Sequence, residues 1–271
     1  MSQTIERGVY AEPRVVTDVR DCSFYHTMDL PGHGLVRGQW DLRAGIHRYL
    51  GRVPLAGKRV LDVGAASGFL TFSMESQGAD VVSYDLSPEH AWDAVPFAGT
   101  DVSAYVAERR EIIRKLNNGY WLSHRALASR ARMAHGTIYA IPAGIGRVDV
   151  AVCGSILNHV RDPFRALESV LAFPTETVIV TDVIPRRQLA LQWLGRLLGP
   201  RMTFVPDFRR QEPRDTWWVL RPELVRQFIG VLGFEDARVS WHWQPYEGRK
   251  RLLYTVVGRR TKGGPLPAPP A

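Results

Sequence analysis

The chain has 271 residues, 45% of them hydrophobic, and a formal net charge of +8. That length suits one α/β domain with embellishments, and no apolar run approaches the roughly 18 residues of a membrane span. The two cysteines, Cys22 and Cys153, lack zinc-site spacing.

The first 20 residues hold Glu6, Arg7, Glu12, Arg14 and Asp18 without an apolar block, so no signal peptide and a cytoplasmic setting are expected. Residues 1–57 read as an extension and lid rather than a domain, with turn signals at Pro31-Gly32-His33-Gly34 and a helical pattern from about Trp40 to Leu50. Val60 to Val63 is a short apolar strand. Phe69 to Gln77 reads as a helix closed by Gly78, and Asp80 to Asp85 as the next strand, which makes a right-handed βαβ unit. Helical spacing over Val102 to Leu116 breaks at Gly119, so the pattern predicts a second helix over Tyr120 to Ser129. Arg132 to His135, Val148 to Cys153 and Thr177 to Thr181 supply three more strands, with a helix at Pro163 to Leu171 between the last two.

From there the alternation stops. Residues 186–222 read as a substrate-covering insertion, opening on an amphipathic stretch (Leu189, Trp193, Leu194, Leu197, Leu198) and continuing rich in arginine and proline. Pro222 then opens a helix that Gly233 ends, and Ala237 to Trp243 and Leu252 to Val257 read as two final strands. Within the first of these, His242 should face away from Trp241 and Trp243. Residues 261–271 are expected to be disordered.

Charge is unevenly spread: residues 1–185 carry 19 basic against 20 acidic side chains, and residues 186–260 carry 15 against 7. Five of the eight tryptophans lie in that last third. Arginine beside aromatic rings suits anionic or planar partners, and it equally describes a solvated face.

The turn after the first apolar strand, Gly64-Ala65-Ala66-Ser67-Gly68, leads into a helix at Phe69. Such a turn offers free backbone N–H groups at the carboxyl end of a parallel sheet, where doubly wound folds bind ligands. A dinucleotide would require Gly-x-Gly-x-x-Gly, and here only Gly64 and Gly68 are glycine. Asp62, two residues before the turn, disfavours a pyrophosphate and favours a cation. Asp85, at the end of the following strand, is placed to accept from ribose hydroxyls. S-adenosylmethionine, with its sulfonium, ammonium and ribose, meets both acids.

These residues carry a family resemblance. Val60-Leu61-Asp62-Val63-Gly64-Ala65-Ala66-Ser67-Gly68 resembles the first motif of class I S-adenosylmethionine-dependent methyltransferases, Val82-Ser83-Tyr84-Asp85-Leu86 the second, and Asp149 to Pro163 the fourth strand with its loop. The resemblance spans residues 57–260. It implies a Rossmann-like, doubly wound seven-stranded sheet whose last strand is antiparallel, over a domain of residues 58–260. It also implies that Gly64 to Gly68 line the methionyl part, Asp85 the ribose, Thr137 and Ile138 the adenine edge, and that Phe69, Leu86, Gly154 and Ser155 belong to the same cofactor site. A narrower likeness runs through Phe24 to Leu30, Gly38 to Arg43 and Asn118 to Arg125. These segments resemble the group that includes enzymes finishing the 5-oxyacetyl uridine at the tRNA wobble position, a mixed group with many members acting on small metabolites.

Methyl transfer needs alignment, and a base only when the acceptor must lose a proton. His159, after the fourth strand, is the candidate base, and Asp182, at the end of the fifth, the candidate partner. Tyr25, His26, Trp40 and Arg43 are the candidate acceptor contacts. No residue set has metal-ligand spacing; His26, Asp29 and His33 come nearest. The reading is an O-methyltransferase of a small or glycosylated hydroxyl metabolite, with no membrane partner. A tRNA methyltransferase that binds RNA through its basic last third, and a cofactor-binding module without turnover, are the alternatives.

Overall fold

The computed structural model describes residues 8–185 and 199–262. In chain order these form β1 (Met28–Leu30), β2 (Gly34–Val36), α1 (Ile46–Tyr49), β3 (Arg59–Val63), α2 (Phe69–Glu75), β4 (Asp80–Asp85), α3 (Ser103–Ala126), β5 (Arg132–His135), β6 (Val148–Gly154), α4 (Pro163–Leu171), β7 (Pro174–Ile184), β8 (Met202–Phe204), β9 (Trp218–Leu220), α5 (Pro222–Val231), β10 (Asp236–Tyr246) and β11 (Arg249–Arg259). A seven-stranded sheet runs β10-β11-β7-β6-β3-β4-β5. Strands β3 to β7 are parallel, and β11, the last, is antiparallel to β7 and to β10. The expected doubly wound fold is present.

The topology places the site. The chain leaves β3 for β4 and β5 on one side, then returns to lay β6 on the other side of β3. That reversal opens a crevice beyond the carboxyl ends of β3 and β6. Both sheet faces are covered, so β3 is buried along its length. Leu61 and Val63 join the core under α4 and α5, whereas Val60 joins Phe69, Leu70, Tyr120 and Trp121 beneath α2 and α3.

Four segments differ from the pattern-based expectation. The apolar stretch Trp40 to Leu50 is helical only over Ile46–Tyr49. Trp40 instead forms bridges to His26 and Tyr246, and Trp40, Leu42, Tyr49 and Leu50 are buried in one cluster, so their spacing serves packing. The break expected at Gly119 is absent: α3 runs unbroken through it. A Cβ at Gly119 would fall on the carbonyl oxygen of Ser23, so this glycine lets the amino-terminal segment approach the helix. The strands expected at Thr177 to Thr181 and Ala237 to Trp243 are each 11 residues long.

Residues 22–50 lie over the carboxyl edge of the sheet. Ser23 N–H donates to the Lys115 carbonyl (2.9 Å), Trp40 N–H to Tyr25 (3.1 Å) and Asp41 N–H to Pro245 (3.1 Å). Of the expected insertion, residues 199–222 contribute the β8–β9 hairpin. Its amphipathic opening at 189–198, and the tail at 263–271, lie outside the described residues.

Candidate active site

The turn after β3 curls through three left-handed residues, Gly64 (φ 81°), Ala66 (φ 50°) and Gly68 (φ 90°). Gly64 faces the loop after β6, where a Cβ would meet Ile156 Cδ1 at 3.0 Å. Asp85 fixes the turn to the end of β4: its carboxylate accepts the Ala66 N–H (2.5 Å) and the Leu86 N–H (2.7 Å). Each oxygen retains a second lone pair for a ligand hydroxyl. Burial raises the Asp85 pKa, against the opposing pull of those two N–H groups.

Asp62 lies beneath the turn, fully buried. It points to the α2/α3 face, where Thr71 donates to its Oδ2 (2.6 Å) and a hydroxyl chain continues through Ser83 to Tyr120. Its Oδ1 has no hydrogen-bond partner, and burial pushes its carboxyl up to about 7. Thr137 and Ile138 follow β5; the Tyr84 hydroxyl donates to the Thr137 carbonyl (2.9 Å) and the Ile138 side chain is buried in the core.

Across the crevice, Gly154 pairs in register with Thr181, and Ser155 N–H donates to the Thr181 carbonyl (2.7 Å). This sets Ser155 beside Asp182. Asp182 accepts the Val183 N–H (2.7 Å) and is otherwise enclosed, so burial pushes its carboxyl up to about 7. The Tyr49 hydroxyl lies 3.4 Å from Ser155 Oγ. The Tyr25 N–H donates to Ser67 Oγ (3.1 Å), and burial pushes its phenol up to about 12. Trp40 touches Tyr246, with ring centroids 4.6 Å apart.

His159 closes the loop after β6 within a short 3-10 turn. Its Nδ1 lies 2.6 Å from the backbone oxygen of Asp215. A carbonyl only accepts, so the ring proton sits on Nδ1 and Nε2 keeps its lone pair. The Asn158 amide reaches that Nε2 at 3.2 Å. Trp217 N–H donates to the Asn158 carbonyl (2.8 Å), and the Trp217 indole to the Asp93 carbonyl (2.6 Å). Asp93 also accepts from the Tyr139 hydroxyl and from Arg161 N–H.

Tyr25, His26 and Trp40 thus gather beside the turn and the β6–β7 rim. Arg43 does not join them: it is tied to Asp29 (2.7 Å) and Asp41 (2.8 Å) near the surface. His242 is buried against Thr255 and Gln244, while Trp241 and Trp243 stay exposed. Sequence reasoning missed Asp215, which contacts His159 through its backbone carbonyl, Trp217, which uses both its backbone N–H and its indole, and Tyr49, which the fold brings to Ser155, 106 residues further along the chain.

Residues 37–230 match the family model described as a methyltransferase domain. The chain belongs to this methyltransferase family. It is 26% identical over 204 residues to the ubiquinone biosynthesis O-methyltransferase of Ralstonia nicotianae, covering 74% of this chain and 73% of that one. It is 32% identical over 210 residues to the enzyme of the same name from Xanthomonas euvesicatoria, covering 74% and 73%. Among solved structures it resembles the magnesium protoporphyrin IX methyltransferase of Synechocystis PCC 6803 with bound S-adenosylhomocysteine, at a TM-score of 0.51 and 13% identity over 81% of this chain and 82% of that one.

The protein is an S-adenosylmethionine-dependent methyltransferase, and the residues present fit that cofactor. Gly64 leaves the turn open toward Ile156, and Asp85 keeps acceptor capacity at the end of β4. Gly64 to Phe69, Asp85, Leu86, Gly154 and Ser155 surround the crevice. No helix among the described residues is long and apolar enough to cross a membrane.

Proposed function

We propose that the chain methylates the oxygen of a small hydroxylated acceptor and that His159 takes the hydroxyl proton. The observation that carries this is the His159 ring: its Nδ1 proton is held by the Asp215 carbonyl, so Nε2 is the accepting nitrogen, and a substrate hydroxyl has only to replace the Asn158 amide that meets it at 3.2 Å. Bound S-adenosylmethionine supplies an electrophilic methyl group on a sulfonium. The chain's own residues position the acceptor and receive its proton. Asp182, protonated below about pH 7 and ionised above it, is the second group at the rim, placed to orient the acceptor hydroxyl. Tyr25, Tyr49, Trp40 and Tyr246 give the acceptor aromatic walls. Residues 22–50 and 199–217 cover it, as an amino-terminal lid and an insertion.

The relatives named for O-methylation support oxygen as the acceptor atom. The basic surplus of the last third gives RNA only indirect support: part of it is engaged internally, and Arg209, Arg210, Arg226, Arg249 and Arg259 are exposed charges of the kind any solvated face carries. Arg260 donates to the Leu171 and Pro174 carbonyls and Arg238 to Gly51, while Arg221 is buried. Methyl-labelled S-adenosylmethionine offered separately to RNA and small-metabolite fractions tests the reading. Label is expected in a methyl ether in the metabolite fraction. Label in tRNA would establish the wobble-uridine alternative, and cofactor binding without label in either fraction would establish the module without turnover.

A further inference from the structure

His26 is a buried polar side chain that the proposed chemistry leaves unused. It lies in the segment laid over the cofactor turn, where the neighbouring Tyr25 N–H donates to Ser67 Oγ (3.1 Å). Its ring stands between Tyr25 (centroids 5.0 Å apart) and Phe69 (5.4 Å), and Phe69 is the first residue of α2 after Gly68. The residue is only 5% exposed. Neither ring nitrogen has a hydrogen-bond partner among the described residues; Nδ1 is sealed, so Nε2 is the nitrogen open to a ligand. Its neighbour Thr27, by contrast, is fully engaged: its Oγ1 accepts the Gly38 N–H (3.1 Å) and its own N–H donates to Trp40 (2.7 Å).

The backbone here has little freedom, since a Cβ at Gly38 would fall on the backbone of His26. Burial holds the imidazole neutral, with its pKa pushed down to about 3. A neutral imidazole offers one N–H donor and one lone pair, and leaving them unmet in an apolar enclosure is costly. The ring is thus fixed beside the turn with one nitrogen, Nε2, unpartnered and unsealed.

We propose that His26 belongs to the cofactor site, where its imidazole hydrogen-bonds the α-amino-carboxylate end of S-adenosylmethionine. That end is a zwitterion: it carries donors and acceptors but no net charge. A neutral partner with both functions meets it without burying an uncompensated charge. Position argues the same way. His26 packs on Phe69 and adjoins Tyr25, whose N–H reaches Ser67, whereas His159 neighbours Asn158 and Asp215, on the acceptor side. The inference rests on the turn being the cofactor site.

Calorimetry with two probes tests it: S-adenosylhomocysteine, and 5′-methylthioadenosine, which keeps the nucleoside and lacks the amino-carboxylate. His26→Phe should bind S-adenosylhomocysteine about tenfold or more weakly, bind methylthioadenosine as the parent does, and melt no lower than the parent without ligand. His26→Gln, which restores a donor and an acceptor, should recover most of the lost affinity. Unchanged S-adenosylhomocysteine binding in His26→Phe would overturn the proposal. Parallel loss of both probes would overturn it too, assigning His26 to packing of the turn. Failure of the parent protein to bind either probe would instead overturn the cofactor site itself.

Discussion

Asp62 and Asp85 end adjacent strands, and their surroundings give them different work. Asp85 spends one lone pair of each oxygen on the turn and keeps the others for a ligand. Asp85→Ala should therefore weaken S-adenosylhomocysteine binding by about 1–3 kcal/mol, measured by calorimetry. Asp62 is sealed under α2, with its carboxyl raised to about 7. The folded state holds that proton more tightly than the unfolded chain, where the group titrates near about 4. Its contribution to stability is full below about pH 4 and is lost as pH rises through about 7. Asp62→Asn cannot titrate, so the fall in Tm between about pH 5 and pH 8 should shrink in that variant; an unchanged fall would contradict this account. At this scale the sequence disclosed the turn and both acids, because residue type and spacing encode them. It did not disclose that Asp215 fixes His159, because a backbone carbonyl belongs to every residue. It also did not show that Arg43 would be taken up by Asp29 and Asp41.

Elements were legible where one local cause decided them. Asp80 to Asp85, Arg132 to His135 and Pro163 to Leu171 begin and end at the residues the pattern indicates, the last capped by Asp162, whose side chain accepts the Arg165 N–H (3.0 Å). The pattern misled where a distant segment decided. Gly119 resembles a helix end and is a docking notch for Ser23; Trp40 resembles a helix start and bridges His26 and the end of β10. This gives a paired expectation. Gly119→Ala should destabilise the fold by about 1–3 kcal/mol through overpacking. Gly230→Ala, in α5 with open space around it, should stabilise by about 0.5–1 kcal/mol through helix propensity. Thermal melting of the two variants distinguishes them, and a shift of the same sign in both would contradict the roles assigned to the two glycines.

Across the whole molecule, the doubly wound order puts the turn after β3, the loop after β6 and the end of β7 around one crevice, and the chain outside the sheet closes over it from two directions. Residues 22–50 arrive over α3 and β10, and residues 199–217 arrive over the loop after β6. Tyr25, whose N–H donates to Ser67, and Asp215, whose carbonyl holds His159, thereby bring the two segments to the turn and to the loop after β6. That convergence was beyond sequence reading, since it depends on how two irregular segments pack. The central claim is that His159 is the base at this crevice, and turnover of the methyl-accepting metabolite by His159→Ala tests it most directly. The account predicts a fall in kcat of about 100-fold or more with unchanged affinity for S-adenosylhomocysteine; near-parental kcat would contradict it.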